Sequence, residues 1–163
     1  MAFPIKELLE YDLWATERVL GSLAALSAQQ FTCEPGGELS SIRQQSGHLV
    51  LVVDRYRARL MGETPPDRMP ESFETPQEVI AYWEEVADRM RLLIDAISPD
   101  KLDVVIRHDT RRGVFFATYL ETLLHVVNHS TYHRGQIAAL LKVAGFEPLD
   151  TDLVLSIKAR SEP

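Results

Sequence analysis

The sequence predicts an all-α fold, a four-helix bundle with one long crossover, on three observations. Apolar residues recur at steps of three and four in four separate stretches. Helix start and stop signals flank those stretches. Between the second and third lies a proline-rich segment, residues 62–74 with Pro65, Pro66 and Pro70, which is long for a hairpin turn and reads as a crossover between helices 2 and 3.

The first helix is expected over about residues 4–29, with Pro4 at a first helical position and Leu8, Leu9, Trp14, Val19, Leu20, Leu23 and Leu26 as its stripe. The second spans about 40–61, capped by Ser40 or Ser41, with Leu49, Val52, Val53, Tyr56 and Leu60 at helical spacing. The third opens on Thr75-Pro76-Gln77-Glu78, a capping box with proline at the first position, and its stripe is Val79, Trp83, Val86, Met90, Leu93 and Ile97. The fourth covers about 117–144 and is apolar around most of its circumference, so it should lie centrally. Gly145 and Pro148 end it. Before it, residues 102–116 read as a small β-hairpin: Val104-Val105-Ile106 and Val114-Phe115-Phe116 flank Arg111-Arg112-Gly113. Residues 152–158 suit a short strand or an extra turn.

The chain has 163 residues, enough for one domain (1–163) with a real core. Apolar residues make up 45% and charged residues 25%, an ordinary globular balance. A net charge of -7 without any Lys/Arg block sets aside nucleic acid and anionic membrane as main partners. No apolar stretch approaches the roughly 20 residues of a membrane span. The start of the chain has no signal-peptide pattern, and Cys33 is the single cysteine. Both fit a cytoplasmic protein, with Cys33 an incidental loop residue.

Chemistry concentrates in the histidines. Of five, three stand at 125, 129 and 133. Steps of four place successive members about 40° apart on one helical face, each pair within reach of one small cation. His48 on the second helix could supply a third nitrogen if helices two and four pack together. Neutral imidazole suits zinc, nickel, copper and iron, and three protein ligands leave positions open for water or substrate, as in catalytic sites. Left unliganded, stacked imidazoles on a buried helix would lack partners, and protonating them would crowd like charges. Spacing alone does not choose between the pairs 129/133 and 125/129. His108, in the hairpin, reads as structural or exposed.

Among the other residues, Gln136 shares the histidine face and could orient a ligand. Tyr11, Asp12 and Tyr132 could reach the site, whereas Arg134 points away and suits a salt bridge or an interface. Trp14 and Trp83 read as core, and Gly135 suggests a closely approaching backbone. Arg55 and Arg59 follow His48 on about the same face and could meet an anionic group.

The stretch Leu124-His125-Val126-Val127-Asn128-His129-Ser130-Thr131-Tyr132-His133-Arg134-Gly135-Gln136-Ile137 resembles the C-terminal helix motif of the DinB-like (damage-inducible) family. Ser41-Ile42 through Gly47-His48-Leu49 resembles its second helix, and Tyr11-Asp12-Leu13-Trp14-Ala15 its first, where asparagine is frequent at the position of Asp12. The likeness runs in order over nearly the whole chain. It implies a four-helix bundle that often dimerises and a metal, zinc or nickel, on His48, His129 and His133. It also makes His125 a neighbour of the ligands, which with Gln136, Asp12 and Tyr132 completes the candidate second layer. The wider superfamily includes transferases and isomerases that use low-molecular-weight thiols such as bacillithiol or mycothiol. The expectation is therefore a metal-dependent enzyme, a thiol S-transferase or a hydrolase, acting on a small molecule. The alternative is a non-catalytic metal-binding, stress-response protein.

Overall fold

A computed structural model of the chain describes residues 5–36, 40–110 and 113–161. Pro4 and the hairpin-turn residues Arg111 and Arg112 lie outside them. The fold is mostly helical, with a small antiparallel hairpin before the last two helices. In order these are α1 (Ile5–Gly21), α2 (Ala28–Thr32), α3 (Ile42–Leu60), α4 (Pro76–Asp95), β1 (Val105–Thr110), β2 (Gly113–Thr118), α5 (Tyr119–Val143) and α6 (Leu153–Ser161).

The four long helices pack in a closed cycle: α1 against α5, α5 against α3, α3 against α4, and α4 against α1. The six stripe residues predicted for the third helix are all buried, five of them on α4 and Ile97 just past its end. They meet Leu9, Leu20 and Leu23 from the first segment, Leu49 and Leu51 from α3, and Leu123, Ile137 and Leu141 from α5 in one core.

Several expectations need correction. The first helix stops at Gly21, and a 3-10 turn at Ser22–Ala25 leads to the separate helix α2. The cause is local: Ser27 and Gln30 form a full capping box, with Gln30 N–H donating to Ser27 Oγ at 3.2 Å and Ser27 N–H to Gln30 Oε1 at 2.9 Å. Trp14 is half-buried at the rim, under the Arg18 guanidinium, while Trp83 is core. Leu124 and Val143 of α5 face solvent. Residues 117 and 118 belong to β2, and Thr118 caps α5 in a box with Glu121. The tail over 152–158, read as strand or turn, is the helix α6.

Other signals act as read. Ser41 caps α3, and Thr75 caps α4, although Glu78 reaches back to the Glu74 N–H instead of Thr75's. Gly145 adopts φ +85° just past α5. The crossover over 62–74 lies against α3 through a 3-10 turn at Pro70–Ser72. A Cβ on Gly47 would stand 2.9 Å from Pro70 Cα and 3.1 Å from a Phe73 ring carbon, so only glycine lets the crossover lie this close, one residue before His48.

Candidate metal centre

Packing of α3 on α5 brings three imidazoles together. His48 comes from α3, and His129 and His133 from successive turns of α5. Each offers one ring nitrogen, and these atoms all lie within 4.8 Å of one another. His48 Nε2 and His129 Nε2 are 3.2 Å apart. Two nitrogens on a tetrahedral zinc ion stand about 3.3 Å apart, given metal–nitrogen bonds of roughly 2.0–2.1 Å. Ring centroids are 4.3 Å apart for His129 and His133 and 4.7 Å for His48 and His133.

The electrostatics keep the two α5 rings, His129 and His133, neutral. Burial, then the neighbouring His133, His48 and His125, push His129 down to about 3. Burial and His48 push His133 down to about 4, with Gln136 pulling the other way. Neutral imidazole is the form that binds a metal. Orientation is also set. His133 Nδ1 stands 2.7 Å from Gln45 Oε1. A carbonyl oxygen only accepts, so Nδ1 carries the hydrogen and the Nε2 lone pair is free for a cation. His129 Nδ1 is buried without a protein hydrogen-bond partner among the described residues. The donor set therefore fits a divalent ion: three partly buried imidazoles whose donor nitrogens lie within 4.8 Å of one another, with no carboxylate among them.

The other candidates fall in different places. The exposed His125 lies outside the group. Its ring centroid is 5.6 Å from His129 and 4.9 Å from Tyr56. Tyr132 is exposed, edge-on to His133 with centroids 5.2 Å apart, and its hydroxyl accepts from Gln136 Nε2 at 3.2 Å. Asp12 does not reach the histidines, because its buried carboxylate pairs with Arg134 on the side of α5 that faces α1. That pair answers the reading of Arg134 as a salt-bridge residue. His108 is fully buried, stacked on Phe115 and 3.0 Å from Thr122 Oγ1. Cys33 is free and exposed. Gln45 was missed, although it precedes His48 by three residues and so shares its face of the helix.

The centre opens onto a cleft of about 900 Å³. Its walls come from α3, the crossover, the hairpin and α5, with Val52, Tyr56 and Phe115 apolar and Arg55 and Arg59 cationic. No helix among the described residues is long and apolar enough to cross a membrane.

Fold and site together define a mostly helical protein with a histidine cluster, able to hold a metal ion, bridging two helices. The chain belongs to the DinB family, whose model matches residues 1–162. It is 28% identical over 153 residues to Protein DinB of Bacillus subtilis strain 168, covering 90% of this chain and 89% of that one. Among solved structures it resembles a DinB-like protein from Bacillus cereus ATCC 10987, with a TM-score of 0.71 at 13% identity, covering 90% of this chain and 94% of the other. It also resembles a conserved protein from Enterococcus faecalis, with a TM-score of 0.64 at 18% identity, covering 83% and 92%. At such identities the likeness to the solved structures is one of fold.

Proposed function

We propose that this chain is a four-helix-bundle, metal-dependent enzyme, a thiol S-transferase or a hydrolase, with His48, His129 and His133 holding one zinc or nickel ion. The observation that carries the reading is the meeting of three imidazoles, their donor nitrogens within 4.8 Å of one another, beside an open cleft. A divalent ion there would supply Lewis acidity, lowering the pKa of a thiol or water brought against it. The chain's own residues do the rest. Gln45 holds His133 in one tautomer. The helices fix the three rings before any ligand arrives. Val52, Tyr56 and Phe115 give the substrate an apolar wall. The non-catalytic reading requires a fourth protein ligand to close the shell. Asp12 is committed to Arg134, and His125 stands outside the group, so the open site favours the enzyme.

The test has two stages. Elemental analysis of unchelated protein should find about one zinc or nickel per chain, lost in His129→Ala/His133→Ala. Metal-loaded protein is then assayed with bacillithiol, mycothiol or glutathione and monochlorobimane. Turnover no faster than that of metal-free protein would remove the transferase, and inert ester and amide substrates as well would remove the enzyme.

A further inference from the structure

The candidate centre sits at one end of the cleft, and the other end carries charge that the reading above leaves unused. His48, Arg55 and Arg59 share a face of α3: steps of seven and eleven residues bring each arginine back to within about 20° of the histidine's direction. Both arginines line the cleft. Their positions differ. Arg55 is committed to the crossover, with Nε donating to Pro66 O at 3.2 Å and Nη2 to Arg68 O. These carbonyls bracket Asp67, which also lines the cleft. Arg55 thus builds the wall.

Arg59 lies over the Tyr56 ring, 5.3 Å from its centroid, and donates one N–H to Asp109 O at 3.2 Å. The Asp109 carboxylate is taken by Arg107, at 2.9 and 3.1 Å. No carboxylate among the described residues is paired with Arg59. A guanidinium has five N–H donors, so donors remain for a ligand. Arg59 also lies in the last turn of α3, where any cation favours the helix dipole. That effect is indifferent to the cleft, and lysine would serve it equally.

We propose that Arg59 recognises an anionic group, a carboxylate, sulfonate or phosphate, at the far end of a ligand whose other end meets the histidines. The helix rise puts the Arg59 Cα about 16 Å from that of His48, and arginine side chains lean back towards the helix N-terminus. The anion therefore lies roughly 10–16 Å from the centre. Val52, Tyr56 and Phe115 line the cleft alongside. The ligand class is an elongated molecule with a metal-seeking head, an apolar body and an anionic tail. The proposal rests on the metal reading only for the head; the tail is independent of it.

The probes are ω-mercaptoalkanoates of three, eight and eleven carbons and the matching uncharged mercaptoalcohols, titrated calorimetrically into cobalt-loaded and metal-free protein. The eight- and eleven-carbon carboxylates should bind about tenfold tighter than the alcohols, the size of one charge-assisted contact. The three-carbon pair should show no such gap. Arg59→Gln should bring the ratio close to one, and Arg59→Lys should keep part of it with α3 equally stable. Metal-free protein should bind every probe more weakly but keep the ratio. Failure to take up cobalt with the ratio intact would sink the metal reading and spare this one. Cobalt uptake with a ratio near one would do the reverse. A ratio indifferent to Arg59→Gln, or no binding of any probe, overturns the proposal.

Discussion

Helix α5 carries two polar clusters, one facing α1 and one facing α3, and they are built on different principles. Towards α1, Arg134 donates to the Asp12 carboxylate, to Thr16 Oγ1 at 3.0 Å and to Thr131 Oγ1 at 2.9 Å. There, charge meets opposite charge and two hydroxyls take further donors. Towards α3, imidazole meets imidazole. Among the described residues no carboxylate joins His48, His129 and His133 in the group suited to a metal. Buried polar groups normally have partners. One cluster meets its charge within the chain; the other gathers like groups that could hold a cation.

The comparison breaks most sharply at Arg134. Arg134→Met leaves the Asp12 carboxylate buried without its counter-ion and should cost about 3–5 kcal/mol. Burial already pushes Asp12 up to about 6 against the pull of Arg134, so the lone carboxyl would take a proton. Asp12→Asn added to Arg134→Met should recover part of the loss. Urea unfolding of the three variants measures both. A loss below about 1 kcal/mol would mean the pair is no better partnered than the histidines.

Acid tests the other side. His129 and His133 are held down to about 3 and 4 in the fold, whereas unfolded histidine titrates near its ordinary 6.5. Between those values the unfolded chain binds more protons, so stability is full above about pH 6.5 and falls as pH drops. His48, His125, Gln45 and Gln136 surround the pair. From pH 6.5 to 4.5 metal-free protein should lose roughly 2–3 kcal/mol, about half the full linkage value because the rings stay partly open to solvent. The control is His129→Ala/His133→Ala, whose profile over that range should be flatter. Matching slopes would show that the cluster is not held neutral.

How much of this could be read from the sequence depends on the range of the interaction. The α4 stripe and the caps at Ser41 and Thr75 are local signals, and the fold uses them. The break after Gly21 was also local. Ser27-Ala28-Gln29-Gln30 spells a capping box, but an apolar stripe running on to Leu26 masked it. The spacing of 125, 129 and 133 put the histidines on one face. It could not say which pair His48 would meet, because that depends on how α3 lies on α5. Asp12 and Arg134 stand 122 residues apart, and neither announces the other. The cleft wall joins α3, crossover, hairpin and α5, so its composition follows only from the fold.

Gln45 sharpens the comparison more gently, because it gives the histidine side a partner like those on the Arg134 side. Gln45→Leu removes the acceptor from His133 Nδ1 and should weaken zinc binding about 10–100-fold with the fold intact. Competition with a chromophoric chelator reads the change. Unaltered affinity would mean that packing, not this hydrogen bond, orients His133.

The smallest effect falls between the two clusters. Gly135 follows Arg134 on α5, and in sequence it suggested a neighbouring backbone pressed against the helix. The fold has nothing of the kind: a Cβ there would meet no described atom within 4 Å, in contrast with Gly47. Without a steric reason, glycine in a helix interior is simply unfavourable. Gly135→Ala should raise stability by about 0.5–1 kcal/mol and leave the metal content and the Asp12–Arg134 pair unchanged. Gly47→Ala should do the opposite, costing about 1–3 kcal/mol as the crossover is pushed off α3 next to His48. A destabilised Gly135→Ala would mean that something absent from the single chain covers this exposed face of α5.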